Sequence, residues 1–169
     1  MPEDPVRFYF DTVTLSNFAL AGRLDLLIER YGDRACITTE VLAEVLEGIV
    51  AGYQHLRAVE VALDEGSLGH AGALTAEERR IHAELLRTLS SGEASAVACA
   101  EARGGTVVTD DRAARGCCEE RELPFTGTIG ILKVCVGEGA LTAKEADGIL
   151  RVMIDAGYFS PVRRISDLT

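Results

Sequence analysis

Three compact apolar runs, each followed by a segment with helical spacing, limit what this chain can fold into. The runs are VRFYF (6–10), RACIT (34–38) and TVVT (106–109), and their length and apolar content are typical of buried strands. The first of them is followed by LSNFALAGRLDLLIERYG, whose apolar residues recur at helical spacing. Short strands that alternate with helices indicate a parallel sheet covered on both faces. The pattern therefore predicts an α/β fold.

Glycines and capping residues predict where the helices begin and end. Gly22 is expected to split the first helical segment, and Gly32 is expected to end its second half. Thr39 is predicted to cap the helix in TEVLAEVLEGIVAGYQ. Thr75 and Glu78 have the spacing of a capping box, which predicts a helix over ERRIHAELLRTLSS.

The middle of the chain, residues 54–91, is the part whose pattern is least regular. HLRAVEVALDEG is compatible with a helix and SLGHAGA indicates a loop. Gly92 is expected to separate this region from the small-residue helix EASAVACAEARGG. Farther on, LPFTG predicts a short strand with a turn, and Thr128 is predicted to cap the next helix. Because the chain has no repeat and no Pro- or Ser-rich linker, we predict one domain over residues 1–169.

The composition excludes several classes of protein. No run of eighteen apolar residues and no basic leader are present, which predicts a cytoplasmic protein without a membrane segment. Five cysteines without CxxC spacing predict free thiols rather than disulfides or a zinc site. The net charge of −10 opposes contact with a polyanion. It fits either a small-molecule enzyme or a carboxylate site that first recruits cations.

Acidic residues follow two of the predicted strands. Asp11 comes directly after the first run, and Asp110 and Asp111 come after the run at 106–109. Ligands of open parallel sheets bind just outside the carboxyl ends of the strands, so these carboxylates could converge. Glu44 and Glu93 add carboxylates from two helices. Each acid alone is also explained as a helix cap or turn residue, but a cluster would suit Mg²⁺ or Mn²⁺ and phosphodiester hydrolysis.

Five segments in order resemble the PIN-domain family. They are FDTVTLSNFALAGRLDLL, ITTEVLAEV, GEASAVACA, VVTDDRAAR and TGTIGIL, and the similarity extends from Phe8 to about Phe159. The chain is similar to uncharacterised prokaryotic PIN proteins akin to VapC-type toxin ribonucleases. The resemblance implies a three-layer, Rossmann-like fold with a parallel sheet of about four or five strands flanked by helices. It also implies an acidic pocket and Mg²⁺- or Mn²⁺-dependent hydrolysis of RNA.

The resemblance also implies roles for individual carboxylates. Asp11, Glu93 and Asp111 match the residues that hold metal, and Asp110 is an auxiliary metal ligand. Glu44 matches the residue that orients or helps to activate the attacking water. These residues, with the exception of Asp110, form the expected catalytic set. Hydrolysis of this kind leaves a 5′-phosphate and a 3′-hydroxyl.

Other expectations concern the surroundings of the pocket and the partners. Thr109 and Ser16 are expected to support the pocket by hydrogen bonds, and Arg112 and Arg115 are candidates for contact with the RNA substrate. An antitoxin protein and a second copy in a homodimer are the partners that the resemblance implies. Residues 54–91 are longer than in minimal toxins and are expected to lengthen the helical arm that clasps an antitoxin or a second subunit.

The leading hypothesis is a metal-dependent endoribonuclease, with the toxin of a toxin–antitoxin pair as its most specific form. The alternative is a catalytically silent PIN module whose acids bind a basic protein segment or whose surface binds RNA. A structure-specific DNA nuclease is a third hypothesis. Binding of Mn²⁺ separates the first two, and relative cutting of flap DNA and RNA tests the third.

Overall fold

The centre of the molecule is a five-stranded sheet in which all neighbouring strands are parallel. A computed structural model describes residues 4–169. The strand order is β3-β2-β1-β4-β5. The strands are β1 (Phe8–Phe10), β2 (Ala35–Ile37), β3 (Gly69–His70), β4 (Thr106–Val108) and β5 (Phe125–Thr126). This sheet confirms the predicted parallel α/β fold.

Helices cover both faces of the sheet, which gives the predicted three layers. They are α1 (Thr12–Leu20), α2 (Leu24–Tyr31), α3 (Thr39–Val50), α4 (Arg57–Asp64), α5 (Ala76–Leu85), α6 (Ser91–Arg103), α7 (Arg112–Glu120), α8 (Thr128–Gly137) and α9 (Ala143–Asp155). Gly22 separates α1 from α2 and Gly32 ends α2, both with positive φ, as predicted. Over residues 4–169, every helix is too short or too polar to cross a bilayer.

Two apolar cores lie on opposite sides of the sheet because successive side chains of a strand point to opposite faces. Phe10 and Ile37 enter the larger core, which α1, α3, α8 and α9 cover. Tyr9 and Cys36 enter the second core, which α5, α6 and α7 cover. Since both faces are buried, the central strands β1 and β2 are apolar throughout rather than alternating. All five cysteines are free thiols, as predicted.

Two predicted helix starts were wrong by a residue or more. Thr38, not Thr39, caps α3, because its Oγ1 accepts a hydrogen bond from Val41 N at 3.1 Å. Gly92 does not separate two segments, since it lies inside the first turn of α6. Ser90 is the N-cap of α6, where a hydroxyl can satisfy a free backbone N–H group and a glycine cannot.

The segment SLGHAGA, predicted to be a loop, contains the edge strand β3. Its two residues pair with Cys36 and Ile37 of β2. A Cβ atom on Gly69 would lie 2.5 Å from the carbonyl oxygen of Asp33, so only glycine fits this close approach. A two-residue strand of Gly and His has no apolar pattern, which is why the sequence indicated a loop.

The order in which the chain adds strands to the sheet reverses between β1 and β4, and the candidate site lies at this point. The chain passes from β1 to β2 on one side, while β4 lies on the other side of β1. Phe10 pairs with Val108, so both strands end at the same level, and Asp11 N donates to Val108 O at 2.9 Å. Open α/β sheets bind ligands at such a reversal, outside the carboxyl ends of the strands.

Candidate active site

Asp11 is a buried carboxylate at the junction of β1 and α1. Its Oδ1 accepts a hydrogen bond from Thr14 N at 2.8 Å, and its Oδ2 accepts one from Thr109 Oγ1 at 2.6 Å. Burial raises the pKa of Asp11 to about 6, against these hydrogen bonds, and the charge of Asp110 raises it further. Because the ionised form is disfavoured here, a nearby cation would be stabilising.

Asp111 lies between β4, which pairs with β1, and α7, which it caps. Its Oδ2 accepts a hydrogen bond from Ala114 N at 2.9 Å. Thr109 Oγ1 accepts from Asp111 N at 3.1 Å and donates to Asp11. One buried hydroxyl group therefore connects the two aspartates that follow β1 and β4.

Asp110 joins the end of β4 to the start of α8. Its two oxygens accept hydrogen bonds from the backbone N and the hydroxyl of Thr128, and Arg115 Nη2 lies 3.6 Å from Oδ1. The prediction that Thr128 caps α8 was wrong, because Gly127 occupies the N-cap position and has no side chain. The carboxylate of Asp110 satisfies the N–H group of Thr128 instead.

Glu93 lies in the first turn of α6 and forms a capping box with Ser90. Its backbone N donates to Ser90 Oγ, and its Oε2 accepts from Ser90 N at 3.1 Å. Burial raises the pKa of Glu93, and the charges of Asp111 and Glu44 raise it further. These three acids come from different parts of the chain, and the fold brings them near enough for their charges to act on one another.

Both oxygens of the Glu44 carboxylate accept hydrogen bonds from residues that are adjacent in sequence to other acids of the site. Its Oε1 accepts from Thr12 Oγ1 at 2.6 Å, and its Oε2 accepts from Gly92 N at 3.2 Å. Thr12 is adjacent in sequence to Asp11, and Gly92 is adjacent to Glu93. A Cβ atom on Gly92 would lie 2.1 Å from Glu44 Oε1, so the position of Glu44 depends on this glycine.

A cleft of about 670 Å³ opens at the carboxyl ends of β1 and β4. Its volume lies within the range of about 300–1,000 Å³ that is usual for small-molecule sites. Four of the five predicted carboxylates line it, namely Asp11, Glu93, Asp110 and Asp111. Glu44 is not a lining residue, and it contacts Thr12 and Gly92, the neighbours of Asp11 and Glu93 in sequence. The structure therefore brings the predicted carboxylates together at the carboxyl ends of β1 and β4, and only Glu44 does not line the cleft.

The two candidate arginines differ in their surroundings. Arg112 lines the cleft together with the acids. Arg115 donates from Nε to Thr109 O at 2.9 Å, and its guanidinium lies 5.3 Å from the ring centre of Phe125. Arg115 is thus occupied by contacts within the protein, and Arg112 is the better placed of the two for a ligand.

The donor set has the chemistry that a hard divalent cation requires. Among residues 4–169, Asp111 Oδ1 and Glu93 Oε1 accept no hydrogen bond, and carboxylate oxygens are the preferred ligands of Mg²⁺ and Mn²⁺. The same residues contain no three Asp, Glu, His or Cys side chains already arranged to hold an ion. Asp11, Glu93 and Asp111 each turn one oxygen toward an N–H group at a helix start.

Sequence reasoning missed two polar residues at the site. His55 lines the cleft, and its Nε2 lies 2.7 Å from Ser16 Oγ. Thr12 fixes Glu44, although 32 residues separate them. Neither contact has a signal in the sequence, because both depend on how α1 packs against α3 and the turn after it.

The fold and the site together define a class, namely three-layer α/β domains with a carboxylate-lined cleft at the reversal between β1 and β4. A family model described as a PIN domain matches residues 7–168, so the chain belongs to the PIN-domain family. No curated protein matches the chain. PIN domains are generally nucleases that use divalent metal ions. Family membership confirms the resemblance found in the sequence.

Proposed function

We propose that this PIN domain is an endoribonuclease that hydrolyses RNA phosphodiesters in the presence of Mg²⁺ or Mn²⁺. The observation that supports the proposal is the shared cleft of Asp11, Glu93 and Asp111 at the carboxyl ends of β1 and β4. Bound cations would offset the repulsion between Glu93 and Asp111, that between Asp11 and Asp110, and the cost of ionising the buried Asp11. A structure that keeps such acids together without an ion pair for each favours a metal-binding role over a structural one.

The three cleft carboxylates would hold the cation. Asp11 is fixed by hydrogen bonds at both oxygens, so it offers its remaining lone pairs in a defined direction. Asp111 and Glu93 each keep one oxygen without a hydrogen bond from the described residues. A rotation of the Glu93 side chain away from Ser90 would free its second oxygen. Bound Mg²⁺ or Mn²⁺ supplies Lewis-acid stabilisation of the charge on the phosphoryl group.

The remaining polar residues position the cleft. Glu44 acts through its neighbour Glu93, because its own oxygens accept hydrogen bonds from Thr12 and Gly92. Asp110 holds the start of α8 through Thr128 and adds negative charge beside Asp11. This arrangement requires neutralisation of the acids before RNA approaches, which agrees with a net charge of −10.

Cleavage of RNA by the purified protein tests the proposal. With Mn²⁺, the wild type is expected to cut single-stranded RNA, and Asp11→Asn is expected to abolish cutting while the far-UV circular dichroism is unchanged. Asp64→Asn removes the same charge from an exposed position at the end of α4 and should cut as the wild type does. Equal cutting by Asp11→Asn would trace the activity to a contaminant. Faster cutting of flap DNA than of RNA would assign the cleft to DNA.

The hydrogen bonds by which Asp11, Glu93 and Asp111 cap helix starts favour one second candidate, a catalytically silent PIN module. In that case the carboxylates serve only as helix caps and as a docking surface for a basic partner. Calorimetric titration with Mn²⁺ discriminates between the two. Binding that Asp11→Asn abolishes supports the nuclease, whereas no heat of binding at millimolar Mn²⁺ supports the silent module.

A further inference from the structure

Only two aromatic side chains of the described residues are exposed, and both line the carboxylate cleft. The chain has five Phe and four Tyr, and none lies in residues 1–3. Tyr53 is 60% exposed and Phe159 is 96% exposed, while the other seven are buried or partly buried. Tyr53 and Phe159 both belong to the wall that contains Asp11 and Glu93. The exposed Phe and Tyr rings of this protein are therefore confined to the candidate active site.

The two rings come from distant parts of the chain. Tyr53 precedes a short 3₁₀ turn after α3, where its N–H group donates to Gly48 O and its ring packs edge-on against His55 at 6.1 Å. Phe159 follows α9 in the irregular segment before the C-terminal turn. The cleft wall between them also contains Val13 and Leu20, so the rings belong to an apolar surface beside the acids.

Arginines line the same clefts as Phe159 in a chain that is otherwise strongly acidic. Phe159 also lines a neighbouring cleft with Arg163 and another with Arg112. Within residues 4–169, Arg163 has no carboxylate partner, whereas Arg151 and Arg164 beside it pair with aspartates. Cations that line the same clefts as an exposed ring suit a ligand that has both apolar faces and negative charges, which describes a nucleotide chain.

We propose that Tyr53 and Phe159 are stacking sites for unpaired bases next to the bond that is cut, so that the substrate of the cleft is single-stranded RNA. The inference rests on the ribonuclease function proposed above. Aromatic stacking accepts every base, since each has a π-face, and it requires bases that are free of a duplex. Arg112 and Arg163 then contact phosphates on either side of Phe159.

Binding measured without cleavage tests the stacking role. The parent is Asp11→Asn with Mg²⁺, and the probe is a short single-stranded RNA that contains 2-aminopurine, whose fluorescence falls when the base stacks. Phe159→Ala and Tyr53→Ala are each expected to weaken binding about 5- to 100-fold. The same RNA in a perfect duplex is expected to bind more weakly than the single strand. Because both residues are exposed, the variants should unfold at the parent temperature.

Matched substitutions separate stacking from simple apolar contact. Phe159→Trp should retain both binding and quenching, whereas Phe159→Leu should lose both, as Phe159→Ala does. Val50→Ala truncates an apolar side chain that is 89% exposed and lies outside the cleft, and it should bind as the parent does. Full binding by Phe159→Leu would overturn the proposal, because it would show that apolar contact without stacking is sufficient. Unchanged binding by both Ala variants, or no binding of single-stranded RNA by the parent, would also overturn it.

Parallel cleavage assays keep this inference distinct from the ribonuclease proposal. If the wild type cuts RNA with Mn²⁺ and the Ala variants bind and cut equally well, the stacking role is wrong and the nuclease stands. If binding depends on the rings but the wild type cuts nothing, the nuclease is wrong and the stacking sites stand.

Discussion

Asp11 shows at the scale of one residue how a site can oppose the stability of its own fold. The side chain is almost fully buried between β1 and α1, and burial raises its pKa from 3.8 to about 6. The folded chain therefore holds a proton that the unfolded chain releases between about pH 4 and pH 6. In the metal-free protein, stability falls as pH rises through this range and stays reduced above it.

The substitution Asp11→Asn is accordingly expected to stabilise the metal-free protein while it removes activity. Asn keeps the acceptor for Thr14 N and carries no charge, so the gain above pH 6 should be about 1–3 kcal/mol. Each kcal/mol corresponds to about 2–4 °C in melting temperature for a chain of this size. Thermal melts with EDTA between pH 4.5 and pH 8 measure this, and the gain should shrink toward low pH.

The matched variant Asp64→Asn should show no such pH-dependent difference, because its carboxylate is exposed. A lower melting temperature for Asp11→Asn than for the wild type at pH 8 would contradict the expected gain. It would mean that the hydrogen bond from Thr109 outweighs the cost of the buried charge.

The sequence predicted that the aspartates after β1 and β4 lie at the same edge of the sheet, because the carboxyl ends of parallel strands meet there. Asp11 and Asp111 follow such strands directly. The contacts that fix the other groups could not be predicted. Asp110 meets Thr128 across 18 residues and Ser16 meets His55 across 39, with no periodicity that connects them. Their proximity results from the packing of whole helices and not from local spacing.

The start of α6 illustrates, at the scale of an element, how a glycine can place a side chain of another helix. Gly92→Ala is expected to push the Glu44 carboxylate out of its place, since the added Cβ would lie 2.1 Å from Oε1. The intrinsic preference of helices for Ala, about 1 kcal/mol, offsets the crowding, so stability should change little. RNA cleavage should fall about 10-fold or more, as is usual when a residue behind metal ligands is displaced.

Cleavage rates and urea denaturation of the same samples measure this separation of activity from stability. Gly137→Ala in α8 is the control, because its Cβ would meet no atom within 4 Å. Unchanged cleavage by Gly92→Ala would show that the position of Glu44 has no part in the reaction.

The helix α5 is fixed to the domain by a buried carboxylate. Glu78 accepts two hydrogen bonds from Arg103 of α6, at 2.7 and 2.8 Å, and also completes the capping box with Thr75. Glu78→Ala should lower the free energy of unfolding by about 2–4 kcal/mol, because it removes charged hydrogen bonds and a cap. Urea denaturation measures the loss, and Glu77→Ala, an exposed neighbour in the same turn, should change stability by much less.

The pH dependence of this contact has the opposite sign to that of Asp11. The hydrogen bonds from Arg103 lower the pKa of Glu78 below its ordinary value of 4.5. The stabilisation is therefore complete above pH 4.5 and is lost as pH falls through the lowered pKa. The difference between the wild type and Glu78→Ala should shrink in acid, and a difference that is constant down to pH 3 would contradict the assignment.

The whole molecule combines a net charge of −10 with a cleft that collects further acids. Divalent cations are therefore expected to stabilise the folded state beyond their effect on ionic strength. At 100 times its dissociation constant, a cation that binds only the folded protein adds about 2.7 kcal/mol. The difference between the melting temperatures with Mn²⁺ and with NaCl at equal ionic strength measures the stabilisation that is specific to Mn²⁺.

The cleft carboxylates should account for the stabilisation that is specific to Mn²⁺. Asp111→Asn is expected to reduce the Mn²⁺-dependent rise in melting temperature, whereas Asp64→Asn is expected to keep it. An equal rise in both variants and the wild type would place the bound cations elsewhere on the acidic surface.

The middle region, residues 54–91, contributes α4, β3 and α5 to the domain. Ile81 and Leu85 of α5 pack in the second core against α6, so this helix covers the sheet. The role of the region as an arm that clasps an antitoxin or a second subunit stays a prediction, as do the homodimer and the toxin function. The sequence predicted the helix α5 through its capping box, while its burial against α6 follows only from the structure.

Both margins of the sheet are formed by strands of two residues, β3 and β5. A foreign polypeptide that adds to a sheet by backbone pairing needs a longer row of free N–H and C=O groups than either margin offers. Copies of this chain are thereby protected from linking sheet to sheet into fibrils. Any inhibitor or assembly partner has to recognise side chains on the helices or in the cleft, where single substitutions can change its specificity.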